Sequence, residues 1–182
     1  IENIKDKDKC NYLVITTAPS ETIKQQIDVF DCLQLTDFNI IKLDGEYNKK
    51  NKKIDFKEKN IIVCSKQFLQ CKIDDKKNKS IAWLKKMNFD MRFIDESHNG
   101  GTTELAQLTL DTYGKDAFTV QITATYSKPV NDYDIPKDCW ILWDLEDIKL
   151  CKNITDEGSI IRLVEKHGDL IQDVISKYYK DN

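Results

Sequence analysis

No two cysteines of this 182-residue chain form a C-x-x-C pair, and only two histidines are present to complete a zinc set. A zinc site or a disulfide framework is therefore not expected. Cys10, Cys64 and Cys139 flank or sit in apolar runs, where a free thiol packs as a small hydrophobe. Buried, reduced thiols imply an intracellular compartment, with cytoplasm and nucleus both open. No stretch approaches the ~20 apolar residues of a membrane span, and no signal-peptide pattern opens the chain, so no membrane partner is expected. An excess of either charge is missing too: 28 Lys+Arg face 31 Asp+Glu, a net charge of -3. That balance neither marks a nucleic-acid binder nor argues against one, because a local groove can be basic on a neutral domain. Internal repeats and Pro- or Ser-rich linkers are also lacking. The first residue is Ile1 rather than Met, which suggests a sequence cut from a longer one.

What is present reads as a folded α/β chain. The hydrophobic fraction of 40% is ample for a core, and the length suits one domain or a domain with an appendage. Apolar runs of about five residues alternate with helical patterns, the signature of a mostly parallel sheet. Strands are expected at Tyr12–Thr17, Asn39–Leu43, Asn60–Cys64, Met91–Ile94, Phe118–Thr123 and, last, Trp140–Trp143. A helix should start near Ser20 with Ile23, Ile27 and Phe30 on one face, and another should span about Thr102 to Tyr113. Ile160, Val164, Ile171, Val174 and Tyr178 recur at helical spacing, with Gly168 as an interruption. The lysine-rich stretches Lys49–Lys59 and Asp74–Lys79 read as solvated loops.

Chemistry concentrates at strand ends. The run Met91–Ile94 leads into Asp95-Glu96-Ser97-His98, and ligands of open α/β sheets bind beyond the carboxyl ends of the strands. Of two adjacent carboxylates there, one suits magnesium, which prefers oxygen ligands, and the second can polarise an attacking water. His98 is close enough to link this loop to a neighbouring element. Thr123-Ala124-Thr125 ends a later strand, and Thr17-Ala18-Pro19-Ser20 joins an earlier strand to its helix.

These three strand ends, in this order, resemble the first RecA-like domain of superfamily 2 helicases and translocases of the DEAD/DEAH type. Asp95-Glu96-Ser97-His98 matches motif II and Thr123-Ala124-Thr125 motif III. Ala18-Pro19-Ser20 resembles motif Ia, and Cys64-Ser65 falls where motif Ib places a small hydroxyl. The resemblance runs from about Tyr12 to Thr125. Lys128-Pro129 and Trp143–Asp147 more loosely resemble restriction-enzyme motor subunits and viral helicases.

The resemblance implies ATP and magnesium as cofactors. Asp95 would organise the metal of bound ATP, Glu96 would activate the hydrolytic water, and His98 would contact motif III or the facing domain. Thr123 and Thr125 would couple hydrolysis to strand movement. Pro19, Ser20 and Ser65 would contact phosphates of a nucleic-acid track, DNA favoured over RNA. A second RecA-like domain would be the partner.

The chain departs from that pattern where the phosphates are held. No GxxxxGK[ST] loop occurs: only Gly114 among the six glycines precedes a lysine, with Asp116 next and Thr109 five places before it. Glu21 also stands where relatives place a basic residue. The resulting expectation is a partial RecA-like sheet (P-loop NTPase type) flanked by helices and lacking the P-loop strand. Residues 1–154 would form it, and 155–182 would be a helical segment packing on it or leading onward. Without that strand, sheet edges should be exposed and the isolated piece should fold marginally. The implied function is ATP-driven unwinding or translocation. Alternatives are a duplex-DNA translocase subunit of a restriction system and a catalytically silent interaction module.

Overall fold

The computed structural model describes residues 9–17, 21–32, 35, 37–45, 47, 54–73, 81–95, 104–125, 134–153, 156–169 and 171–172. Two compact units divide between Asp134 and Ile135, upstream of the boundary near Thr155 expected from sequence.

The first unit is built on five strands: β1 (Cys10–Thr16), β2 (Asn39–Leu43), β3 (Lys59–Ser65), β4 (Met91–Asp95) and β5 (Phe118–Ile122). They lie in the order β2-β3-β1-β4-β5, and every pairing is parallel. The expected α/β fold is therefore observed, with helices flanking a parallel sheet. β3 is buried at nearly every position because it is covered on both faces, which is why its sequence is a continuous apolar run rather than an alternation.

Alternation along β1 sorts the core into two layers. Leu13 and Ile15 face one side, packed with residues of α2 (Lys66–Gln70), α3 (Ala82–Lys86) and α4 (Glu104–Thr112). Val14 faces the other, where Ile23 of α1 (Glu21–Cys32) meets Ile61 and Val63. Each fully buried Leu or Ile contributes ~1.5–3 kcal/mol. At the amino ends, Asn60 fixes the register: its Nδ2 donates to Asn11 Oδ1 at 2.8 Å, while its Oδ1 accepts from Asn39 at 3.2 Å.

Gly114 turns the chain from α4 toward β5 with φ +66°, a conformation that disfavours other residues. The last carbonyls of α4 are satisfied by Arg92, whose Nη1 donates to Leu110 O and to Tyr113 O, the latter at 2.9 Å. The Nε of the same side chain donates to Thr119 on β5 at 3.2 Å. An arginine inside an apolar strand is thus explained: it finishes a helix and ties β5 to β4.

The sheet's two borders differ. On β2, Ile41 and Leu43 are buried, whereas on β5 Phe118 is 68% and Ile122 47% exposed. Among the described residues no strand lies beyond β5.

The second unit contains a 3-10 turn (Lys137–Cys139), α5 (Leu145–Lys152) and α6 (Glu157–His167). Asp144 caps α5 and is answered by Asp147 in a capping box; Asp156 caps α6. Gly168, at φ +79°, closes α6, the interruption expected there. The strand expected at Trp140–Trp143 does not form. Among the described residues the segment pairs with no strand, and Asp144 at its end caps a helix instead. Cys10 and Cys64 are buried as expected, but Cys139 is exposed because its neighbouring run never joins a sheet.

Candidate nucleotide and nucleic-acid site

Because all five strands run parallel, their carboxyl ends share one edge of the sheet. Thr16 of β1 stands opposite Ser65 of β3, and Asp95 of β4 opposite Ile122 of β5. Thr123 follows immediately. The order of tips is therefore Ser65, Thr16, Asp95, Ile122–Thr123, which gathers three of the expected site segments along one line.

Asp95 is half-buried at the end of a strand whose preceding residue, Ile94, is in the core. Core packing thus fixes the backbone that carries the carboxylate. Half-buried Thr123 and exposed Thr125 close a small turn: Thr125 N donates to Thr123 Oγ1 at 3.0 Å. The Thr-Ala-Thr spacing allows this turn, since a threonine hydroxyl can accept from the backbone two residues on.

Ser65 is buried, and its Oγ accepts from Phe68 N at 3.1 Å as the N-cap of α2. That bond takes the hydroxyl's role as acceptor and leaves its proton to donate. Glu96, His98, Pro19 and Ser20 lie outside the described residues.

Reading the sequence alone overlooked three polar groups. The Thr16 hydroxyl is fully buried at the strand tips and has no hydrogen-bond partner among the described residues. Lys66, the first residue of α2, is buried beside Ser65, and desolvation lowers its pKa from the ordinary lysine value. Gln121 Oε1 on β5 is also buried and finds no partner among the described residues. The one signal available was Lys66, a cation directly after the motif Ib serine.

The oxygen donors at this edge, Asp95 with the neighbouring hydroxyls, have the hardness that magnesium requires. Among the described residues no three His, Cys, Asp or Glu side chains gather to hold a metal. A single carboxylate is enough for magnesium when phosphate and water complete its shell. The described residues offer no glycine-rich loop of N–H groups for the phosphates themselves.

No curated protein matches the chain. Residues 1–128 match the profile of a family described as type III restriction enzyme, res subunit. That span contains all five strands and every site residue named above, and it brings with it a helicase-like RecA fold. The chain belongs to the family of the type III restriction enzyme res subunit.

Proposed function

We propose that this chain supplies the magnesium-organising and nucleic-acid-facing part of an ATP-driven motor, with Asp95-Glu96-Ser97-His98 as a DEAH-type motif II. The observation that carries this reading is the position of Asp95 at the tip of β4, between the Thr16–Ser65 tips and Thr123. Bound magnesium–ATP would supply an activated phosphoryl group and the free energy of its hydrolysis. Asp95 would hold the metal, and Glu96 would orient the attacking water and take its proton. His98 links that loop to Thr123-Ala124-Thr125, so the β4 and β5 tips respond together. Pro19, Ser20 and Ser65 lie along a nucleic-acid path, where hydroxyl and backbone donors grip phosphates without needing net positive charge. DNA is the favoured track, a second RecA-like domain the facing partner, and the compartment is intracellular.

A second form of this motor, a translocase that tracks along duplex DNA without separating it, would suit a family described by a restriction enzyme's res subunit. Strand displacement from a forked substrate would instead support a helicase. In the full protein, Glu96→Gln should lower ATP turnover by roughly 10²–10⁴-fold while ATP binding persists. Turnover at the wild-type rate in that variant removes Glu96 from the mechanism. If the full protein neither binds nor hydrolyses ATP, it is a silent interaction module.

A further inference from the structure

A row of three polar side chains begins where an apolar layer ends. On the face of the sheet covered by α1, Val63 of β3, Val14 of β1 and Phe93 of β4 stand side by side and pack together. Strand side chains alternate with a period of two, so the next residues on that face are Ser65, Thr16 and Asp95. Thr16 pairs with Ser65 in the β1–β3 ladder. On its other side the β1–β4 ladder runs to Ile15 opposite Ile94, and the next rung sets Thr16 beside Asp95.

Thr16 is the odd member of this row. It has no solvent exposure, and among the described residues its Oγ1 has no hydrogen-bond partner. Valine has nearly the same shape, as Val14 shows two residues earlier, and leaves no hydroxyl to satisfy. A hydroxyl buried without a bond has given up water and gained nothing in return, so it calls for a partner in some state of the protein.

Two neighbours accept protons. Ser65 Oγ is engaged as the cap of α2, accepting from Phe68 N at 3.1 Å. Asp95 offers a carboxylate, and a hydrogen bond to an ionised group is roughly twice as strong as one between neutral groups. Paired strands lie ~4.8 Å apart, so a change of rotamer is enough to bring a threonine hydroxyl to a neighbouring carboxylate. Two carboxylate oxygens can share the work, one accepting this proton while the other faces a metal. The donor is well anchored: β1 is paired on both sides, with Leu13 and Ile15 buried just before Thr16.

We propose that Thr16 is a positioning residue for Asp95, its hydroxyl donating to the carboxylate oxygen turned away from the metal when magnesium and nucleotide are bound. Magnesium demands near-ideal octahedral geometry, so a ligand oxygen held at a fixed angle serves it better than a swinging one. This role rests on the motor reading above, in which Asp95 holds the metal.

The test measures metal linkage rather than turnover. In the full protein, calorimetry gives the affinity for a non-hydrolysable ATP analogue with magnesium and with EDTA. Their ratio is the factor by which magnesium tightens binding. Thr16→Val should cut that factor by about tenfold. Thr16→Ser, which keeps the hydroxyl, should retain it, and Asp95→Ala should remove it altogether. Without magnesium, the thermal midpoint of Thr16→Val should be no lower than that of the wild type, because an apolar group replaces an unsatisfied one.

A factor unchanged in Thr16→Val but lost in Asp95→Ala overturns the positioning role and leaves the motor reading standing. A wild-type protein with no magnesium dependence, or an Asp95→Ala variant that keeps it, removes both. Equal losses in Thr16→Ser and Thr16→Val sink the proposal too. So does a magnesium-free midpoint lowered by Thr16→Val, which would give the hydroxyl a structural partner instead.

Discussion

In the sheet unit the side chains with no solvent exposure are chiefly apolar, Leu13, Ile62 and Leu84 among them, whereas the C-terminal unit fully buries Leu163 alongside a carboxylate, that of Asp147. Asp147 Oδ2 accepts from Lys166 at 2.9 Å and from Asp144 N at 2.7 Å, and Oδ1 lies 2.8 Å from His167 Nε2. A unit of two short helices has little apolar area to hide, and its large apolar residues remain largely outside. Charge-assisted hydrogen bonds take over the task of fixing helix against helix. Water removal stabilises one unit, and a paired carboxylate the other. Their responses to mutation and pH should differ accordingly.

The largest effect belongs to the sheet. Leu13→Ala on the central strand should cost ~2–5 kcal/mol, measured by urea unfolding with Trp83 as the probe. The loss should be the same at pH 5 and pH 8, since no titrating group is involved. Arg92→Met tests the exception, a buried cation inside the apolar unit. Leaving the Leu110 and Tyr113 carbonyls unpaired should cost ~1–3 kcal/mol, and hydrogen exchange should rise first in β5.

The C-terminal unit should instead follow pH. Burial pushes the Asp147 carboxyl up, but the Asp144 N–H, His167 and Lys166 outweigh it and hold the pKa well below the carboxylate norm. The stability so gained is present above the unfolded value of ~3.9 and is lost as pH falls through the folded value. Lys166 runs the other way: the hydrogen bonds it donates to Asp147 and Asp144 raise its pKa. Its contribution is full below ~10.4 and disappears as pH rises through the folded value. Circular dichroism of the α5–α6 transition should show both limbs, and Asp147→Asn should flatten the acid one while destabilising the unit at neutral pH. An acid limb unchanged in that variant would place the titrating group elsewhere.

The smallest effect is expected at the β5 border. Phe118→Thr should change stability by no more than about 0.5 kcal/mol, because the ring is already in water. A loss matching that of Leu13→Ala would show that Phe118 is covered in solution.

Much of the sheet unit could be read from the sequence, for a physical reason. Strands buried on both faces, such as Ile61-Ile62-Val63-Cys64, must be continuous apolar runs, and the acidic tetrapeptide directly after Met91–Ile94 marks a strand tip. Trp140-Ile141-Leu142-Trp143 has the same composition but no sheet to join, and composition does not report the absence of a neighbour. The Thr16 hydroxyl and the Arg92 fork escaped because their roles depend on groups distant in the chain. The Asp147 cluster escaped likewise: Lys166 and His167 lie on another helix, and the adjacent carboxylates Glu146 and Asp147 between Leu145 and Leu150 look like any solvated helix face.

The Arg92 fork has a mechanical consequence. One planar, rigid group grips the close of α4 and the middle of β5 while rooted in β4. Asp95 and Thr123 lie a short way downstream on the two strands it rivets. A displacement at either tip therefore reaches the other with little slack, as motion passes between two levers on a common pin.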